Sequence, residues 1–253
     1  MSVHPKVNFI IIGAQKAGTS ALNYYLKQHP QIGVADKKEL HFFNDEILFS
    51  ASEIDYSAFE GQFDFSSLKK VYGEATPVYI YWEPCIRRIW EYNKDIKLII
   101  ILRDPTDRTF SHWNMEVYKG SEKEDFMYCV QNENVRMKEA LPLQHRDQSY
   151  VDRGFYSEQI RRILRFFKKE QLLFIKYEEF FKNQEQILKQ VFDFLDVTTE
   201  NYHFKRRQVH KKPYVRKITK EERECLIDLF INDINEVERM LQWDCSDWKR
   251  TAE

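Results

Sequence analysis

The stretch that decides the fold is Phe9-Ile-Ile-Ile-Gly13-Ala-Gln-Lys16-Ala-Gly18-Thr-Ser-Ala-Leu22. Its first part belongs to the run Val7–Ile12 (VNFIII), apolar and rich in β-branched residues, which stops at a glycine, the pattern of a strand buried on both faces. A short loop follows, and Ala21, Leu22, Tyr25 and Leu26 then recur at helical spacing. A strand, a tight loop and a helix in that order present backbone N–H groups and the positive helix end to an anion. Gly13 and Gly18 keep the GxxxxG spacing of a Walker A loop, but Thr19-Ser20 stands where Lys-Ser/Thr would follow. The lysine lies inside the loop instead, at Lys16.

Two further runs have the character of the first: Ile96–Leu102 (IKLIIIL) and Leu172–Lys176 (LLFIK). Helical patterns follow each, over Arg108–Tyr118 and over Gln184–Leu195. Repeated strand-then-helix order predicts an α/β fold: a P-loop-like doubly wound parallel sheet flanked by helices. No Gly/Ser/Pro-rich linker and no repeat divides the chain, so one domain is expected over residues 1–253. A basic segment and helix at about 205–242 complete it. That helix opens on Thr219-Lys-Glu-Glu222, a capping-box signature. Gly120–Tyr150 is polar and weakly patterned, and reads as a surface excursion.

Composition narrows the function classes. Lys plus Arg (39) nearly cancels Asp plus Glu (40), which removes the bulk electrostatic case for nucleic-acid binding. No apolar stretch approaches the ~20 residues of a membrane span, and no leader-like segment opens the chain. The four cysteines, Cys85, Cys129, Cys225 and Cys245, lack metal-ligand spacing, so no metal is expected. Reduced thiols in the cytoplasm are the expectation, with a Cys225–Cys245 bridge as the alternative.

The string QKAGTSAL, Gln15 to Leu22, resembles the 5′-phosphosulfate loop of sulfotransferases that use 3′-phosphoadenosine 5′-phosphosulfate (PAPS). IILRDPTDRTFSHW, Ile100 to Trp113, resembles that family's 3′-phosphate segment, with an arginine at a strand end and a serine eight residues on. The resemblance implies that Lys16, Ala17, Gly18, Thr19 and Ser20 bind the donor's 5′ end, and Arg103 and Ser111 its 3′-phosphate. An arginine at a strand end suits that task, because its guanidinium grips a phosphate bidentately. KKELHFFND, Lys37 to Asp45, and RGFYSEQIRRILRFF, Arg153 to Phe167, resemble the heparan sulfate glucosaminyl N-/3-O-sulfotransferase-type branch. That branch implies Glu39 as general base, while Lys16 is expected from its place inside the loop to be the cation at the bond being broken, and His41 to support Glu39. Glu39 and His41 share a face if their segment is extended. The branch also carries a lysine where this chain has Ala75, in Gly73-Glu-Ala-Thr-Pro77. The resemblance also implies a basic loop closing over the 3′-phosphoadenosine, which makes Lys211, Lys212 and Arg216 of the basic run Lys205–Lys217 the candidates, with a solvated basic surface as the alternative.

The expected reaction is sulfuryl transfer from PAPS to an acceptor hydroxyl or amine, releasing adenosine 3′,5′-bisphosphate and requiring no metal. A carbohydrate or glycolipid acceptor is expected, with a polyketide or other small-molecule hydroxyl as runner-up. Tyr79, Tyr81, Trp82 and Trp113 suit either sugar stacking or the core. Two alternatives stay open: a P-loop nucleotide kinase or NTPase, for which Asp104 is the tempting Walker B residue, and a non-catalytic PAPS-binding protein.

Overall fold

In the computed structural model, which describes residues 6–67, 69–199 and 213–251, the run Phe9–Gly13 forms β1, buried along its whole length. It is the middle of five parallel strands in the order β2-β3-β1-β4-β5. The other two apolar runs are β4 (Lys97–Leu102) and β5 (Leu172–Lys176), paired from Leu98↔Leu172 to Leu102↔Lys176. The remaining strands carry no such run. Strand β2 (Ile32–Val34) is a three-residue edge, and β3 (Val71–Ala75) holds Gly73 and Glu74. Pairing makes them strands: Ile32↔Val71 on one side of β3 and Phe9↔Gly73 on the other.

The chain leaves β1 for β2 and β3 on one side, then crosses to β4 and β5 on the other. This reversal opens a crevice beyond the carboxyl ends of β1, β3 and β4, where such sheets bind ligands. The helices are α1 (Thr19–Leu26), α2 (Ser57–Glu60), α3 (Cys85–Tyr92), α4 (Pro105–Lys119), α5 (Phe126–Lys138), α6 (Tyr156–Leu164), α7 (Tyr177–Lys182), α8 (Gln184–Phe194) and α9 (Lys220–Leu241). Helix α4 starts where the sequence breaks β4. Asp104 caps it by accepting from the Thr106 N–H at 2.8 Å, and Pro105 fills the first turn. Thr219 and Glu222 form the expected capping box at the start of α9. Arg223 then ties α9 to α4 through Asp104, at 3.1 Å, and Asp107.

Gly120–Tyr150 is more than a surface excursion. It contains α5, and two of its acids, Glu122 and Glu133, turn inward. Glu133 accepts from the Val151 and Asp152 N–H groups, both at 2.7 Å, while Glu122 accepts from Tyr150 and Arg136, both at 2.8 Å. Polar residues that reach backbone and side-chain donors can be buried, and binary patterning misses them. Tyr79, Tyr81, Trp82 and Trp113 are all buried core, leaving no open ring face for a sugar. The four cysteines are free thiols. Among the described residues no helix is long and apolar enough to cross a membrane, and no group of three His, Cys, Asp or Glu is placed to hold a metal.

Candidate active site

The loop from Gly13 to Gly18 lies at the carboxyl end of β1, between that strand and α1. A Cβ at Gly13 would run into the Ile80 side chain, so the loop lies flat against the turn that follows β3. Gly18 caps α1 at φ 87°, with the Tyr177 ring 3.1 Å from where a Cβ would be. Both conformation and space select glycine there. Lys16 also has positive φ, 69°. Its carbonyl accepts from Arg103 Nη1 at 3.2 Å, so the two segments read separately in the sequence meet at one place.

Arg103 follows the last residue of β4 and is held on several sides. Its guanidinium lies 4.9 Å from the Tyr177 ring centroid, and Nη2 is 3.6 Å from Asp107. Tyr156 donates to its carbonyl at 2.9 Å. Its Nε is buried and has no hydrogen-bond partner among the described residues. A buried guanidinium N–H left unspent is costly unless an anion completes it. Ser111 lies buried on the second turn of α4. The tempting Walker B residue, Asp104, is committed to capping α4 and to Arg223.

Glu39 hangs from the neighbouring strand. Its N–H donates to the Ala75 carbonyl at 3.1 Å, and Ala75 pairs with Ile11 of β1. The segment is not extended: Glu39 and His41 have φ 61° and 56°. Their side chains meet nonetheless, with His41 Nε2 3.7 Å from Glu39 Oε2 and His41 Nδ1 3.1 Å from Asn44 Oδ1. The Lys38 ammonium contacts Glu39 Oε1. Burial pushes the Glu39 carboxyl up, but His41 and Lys38 outweigh it and hold it at about 2. Glu39 in turn raises His41 above its usual value, against its burial.

Further groups complete the candidate site. Glu74, the residue before Ala75, is fully buried. It accepts from Thr76 Oγ1 at 2.7 Å through Oε2, while Oε1 has no partner among the described residues. Burial raises its carboxyl to about 7. Arg153 is buried, donates to Gln15 Oε1 at 2.6 Å and lies 4.6 Å from the Tyr81 ring centroid. It supports the phosphate loop from α6's side, and burial pulls it down to about 10. The only sequence signal for Arg153 was its place at the head of a family-like segment. Tyr177, directly after β5, carried none.

Of the C-terminal basic candidates, Arg216 is described, while Lys211 and Lys212 lie outside the described residues. The Arg216 fork is bound by Glu222 at 2.7 and 2.6 Å. Its guanidinium lies 5.2 Å from the Trp113 ring centroid, and the Val215 N–H donates to Asn114 at 2.9 Å. This segment therefore crosses the helix that carries Ser111. Arg216 reaches the right neighbourhood with its bidentate face already occupied.

The class follows from the sheet, the loop with its internal lysine and the arginine beside it: residues 6–249 match the sulfotransferase domain family, and the chain belongs to that family. It resembles the membrane-associated sulfotransferase kil1 of Dictyostelium discoideum, at 41% identity over 112 residues, 44% of this chain and 23% of that protein. Heparan sulfate glucosamine 3-O-sulfotransferase 3B1 of Homo sapiens is 28% identical over 209 residues, 77% of this chain and 48% of that protein. The chain thus spans less than half the length of these two relatives. The crystal structure of a sulfotransferase from Alicyclobacillus acidocaldarius superposes with a TM-score of 0.83 at 29% identity, covering 98% of this chain and 100% of that one.

Proposed function

We propose that this protein transfers a sulfuryl group from PAPS to an acceptor hydroxyl or amine on a carbohydrate or glycolipid. The observation that carries the reading is Arg103: a buried guanidinium bonded to the Lys16 carbonyl, with one donor still unspent. It joins the two proposed phosphate-binding segments in one anion site. Bound PAPS supplies an activated sulfuryl group on a phosphate leaving group. Lys16 and the backbone of Ala17, Gly18, Thr19 and Ser20 hold the 5′ end, and Arg103 and Ser111 hold the 3′-phosphate. Fixed charges and N–H donors of this kind act mainly by positioning and electrostatics.

Glu39 takes the acceptor proton, and His41 orients it. Lys38 stands where a cation is wanted beside Ala75, reaching the centre from the loop rather than from β3. The carbohydrate reading draws on the Glu39–His41 arrangement and on relatives named for heparan sulfate glucosamine.

Thermal unfolding tests the donor assignment. Adenosine 3′,5′-bisphosphate at ~100-fold its dissociation constant is expected to stabilise the fold by roughly 2.7 kcal/mol. ATP at the same concentration is expected to do far less, because it lacks the 3′-phosphate. Equal shifts from the two ligands would overturn the roles of Arg103 and Ser111.

A further inference from the structure

A cavity of about 370 Å³ opens between the start of α3 and the last turn of α6. Four arginines line it, Arg87 and Arg88 from α3, Arg162 from α6 and Arg165 just after it, against one acid, Glu83. Two of the four are neutralised. Arg88 forms a bidentate pair with Glu46, at 2.9 and 2.7 Å, and Arg87 lies 3.6 Å from Glu91. The other two have no carboxylate in an ion pair among the described residues. Arg162 spends Nη2 on the Ile80 and Tyr81 carbonyls, at 3.2 and 3.0 Å, and its buried Nε has no partner among those residues. Helix α3 adds its positive end, with no acid in its first turn and no side-chain cap. Ile86 and Phe166 supply apolar wall.

This volume falls at the small end of ligand-binding cavities. Guanidiniums with free donors suit carboxylate and sulfate oxygens, which they bind through paired charge-assisted hydrogen bonds. We propose that the cavity binds a small organic anion: a carboxylate or sulfate ester on a body the size of a sugar or a phenyl ring. It also has a physical link to the phosphate loop. The Ile80 whose carbonyl Arg162 grips donates its own N–H to Ile12 at 2.9 Å and packs against Gly13. The anion has two possible sources, a substituent of the acceptor itself or a separate small molecule.

Calorimetry on the full chain tests the site, with adenosine 3′,5′-bisphosphate at saturation so that the nucleotide site is filled. Phenyl sulfate and benzoate are the probes. Saturable binding at one site is expected, weakened about tenfold or more by Arg165→Glu and largely kept by Arg165→Lys. Arg165 is exposed, so both variants are expected to fold, as melting curves will show. Lys189→Glu, an exposed charge change on α8, is the control and is expected to bind like the parent. No saturable binding by the parent, or equal affinity in Arg165→Glu, overturns the proposal. A turnover arm separates the sources, using one acceptor with and without a carboxylate. A KM raised in Arg165→Glu for the charged acceptor alone assigns the anion to the acceptor; unchanged KM values with lost probe binding assign it to a separate molecule. The calorimetric arm needs no turnover, so it stands or falls independently of the sulfotransferase reading.

Discussion

His41 Nε2 lies 3.7 Å from Glu39 Oε2 across a turn that is left-handed at both residues. A left-handed conformation costs a residue with a side chain roughly 1–2 kcal/mol. The hydrogen bond from Glu39 to Ala75 and the charge contacts with His41 and Lys38 help to offset it. The turn aims two ionisable groups at the end of β3.

The first prediction concerns the proton. Glu39→Gln keeps the shape and hydrogen bonding of the side chain and removes its basicity. It is expected to lower turnover ~10²–10⁴-fold with affinity for adenosine 3′,5′-bisphosphate unchanged. His41→Ala is expected to cost less. The opposite ranking, in a turnover series at saturating donor, moves the base to histidine.

Lys38 provides a second test. If it supplies the cation beside Ala75, Lys38→Ala is expected to reduce turnover by about 10²-fold, the scale of one lost electrostatic donor. Adding Ala75→Lys to that variant is expected to recover part of the loss. Lys38→Arg is expected to keep most of the activity, and covers the case in which the buried Ala75 site rejects a lysine. Turnover of Lys38→Ala equal to the parent's removes Lys38 from the site.

Binding and chemistry separate at Arg103 and Lys16. Arg103→Ala is expected to weaken adenosine 3′,5′-bisphosphate by about 1.5–3 kcal/mol, the value of a charge-assisted contact. Lys16→Ala is expected to lower turnover as well, if its charge faces the bond being broken as proposed. Titration calorimetry paired with single-turnover rates reads both. Arg103→Ala binding like the parent would contradict the 3′-phosphate role.

Glu74 sets a pH dependence of stability. Its folded-state value is raised from 4.5 to about 7, mainly by burial. The protonated form is therefore favoured in the folded chain. The stability tied to that proton is fully present below about pH 4.5 and is lost as pH rises through 7, by a total of about 3 kcal/mol. Glu74→Gln, uncharged at every pH, is expected to flatten the corresponding part of a denaturation series between pH 5 and 8. An unchanged slope would show that Glu74 does not titrate in that range. Glu39 has the opposite sign. Its value is depressed to about 2, so the stability it contributes is present above its unfolded value and lost as pH falls toward 2.

The sequence by itself determined the frame and the strand–loop–helix around Lys16. Strands β1 and β4 were legible because parallel strands covered on both faces are apolar almost throughout, and the edge strand β5, of which only Ile175 is buried, was legible from a shorter run of the same kind. The loop around Lys16 was legible because strand end, glycine and helix start are local in the chain, and the cap at Thr219 is local too. Tertiary structure alone decided the rest. Strands β2 and β3 exist through pairing with residues far along the chain, and VYGEA carries no pattern that announces it. Arg153 and Tyr177 join the candidate site because folding brings the end of β5 and the segment before α6 to the crevice. The Glu39–His41 contact was read from an extended segment, whereas the chain reaches it through positive φ at both residues. Backbone conformation at such a turn is set by what anchors it, here the Ala75 carbonyl, and an anchor on another strand leaves no mark in the local sequence.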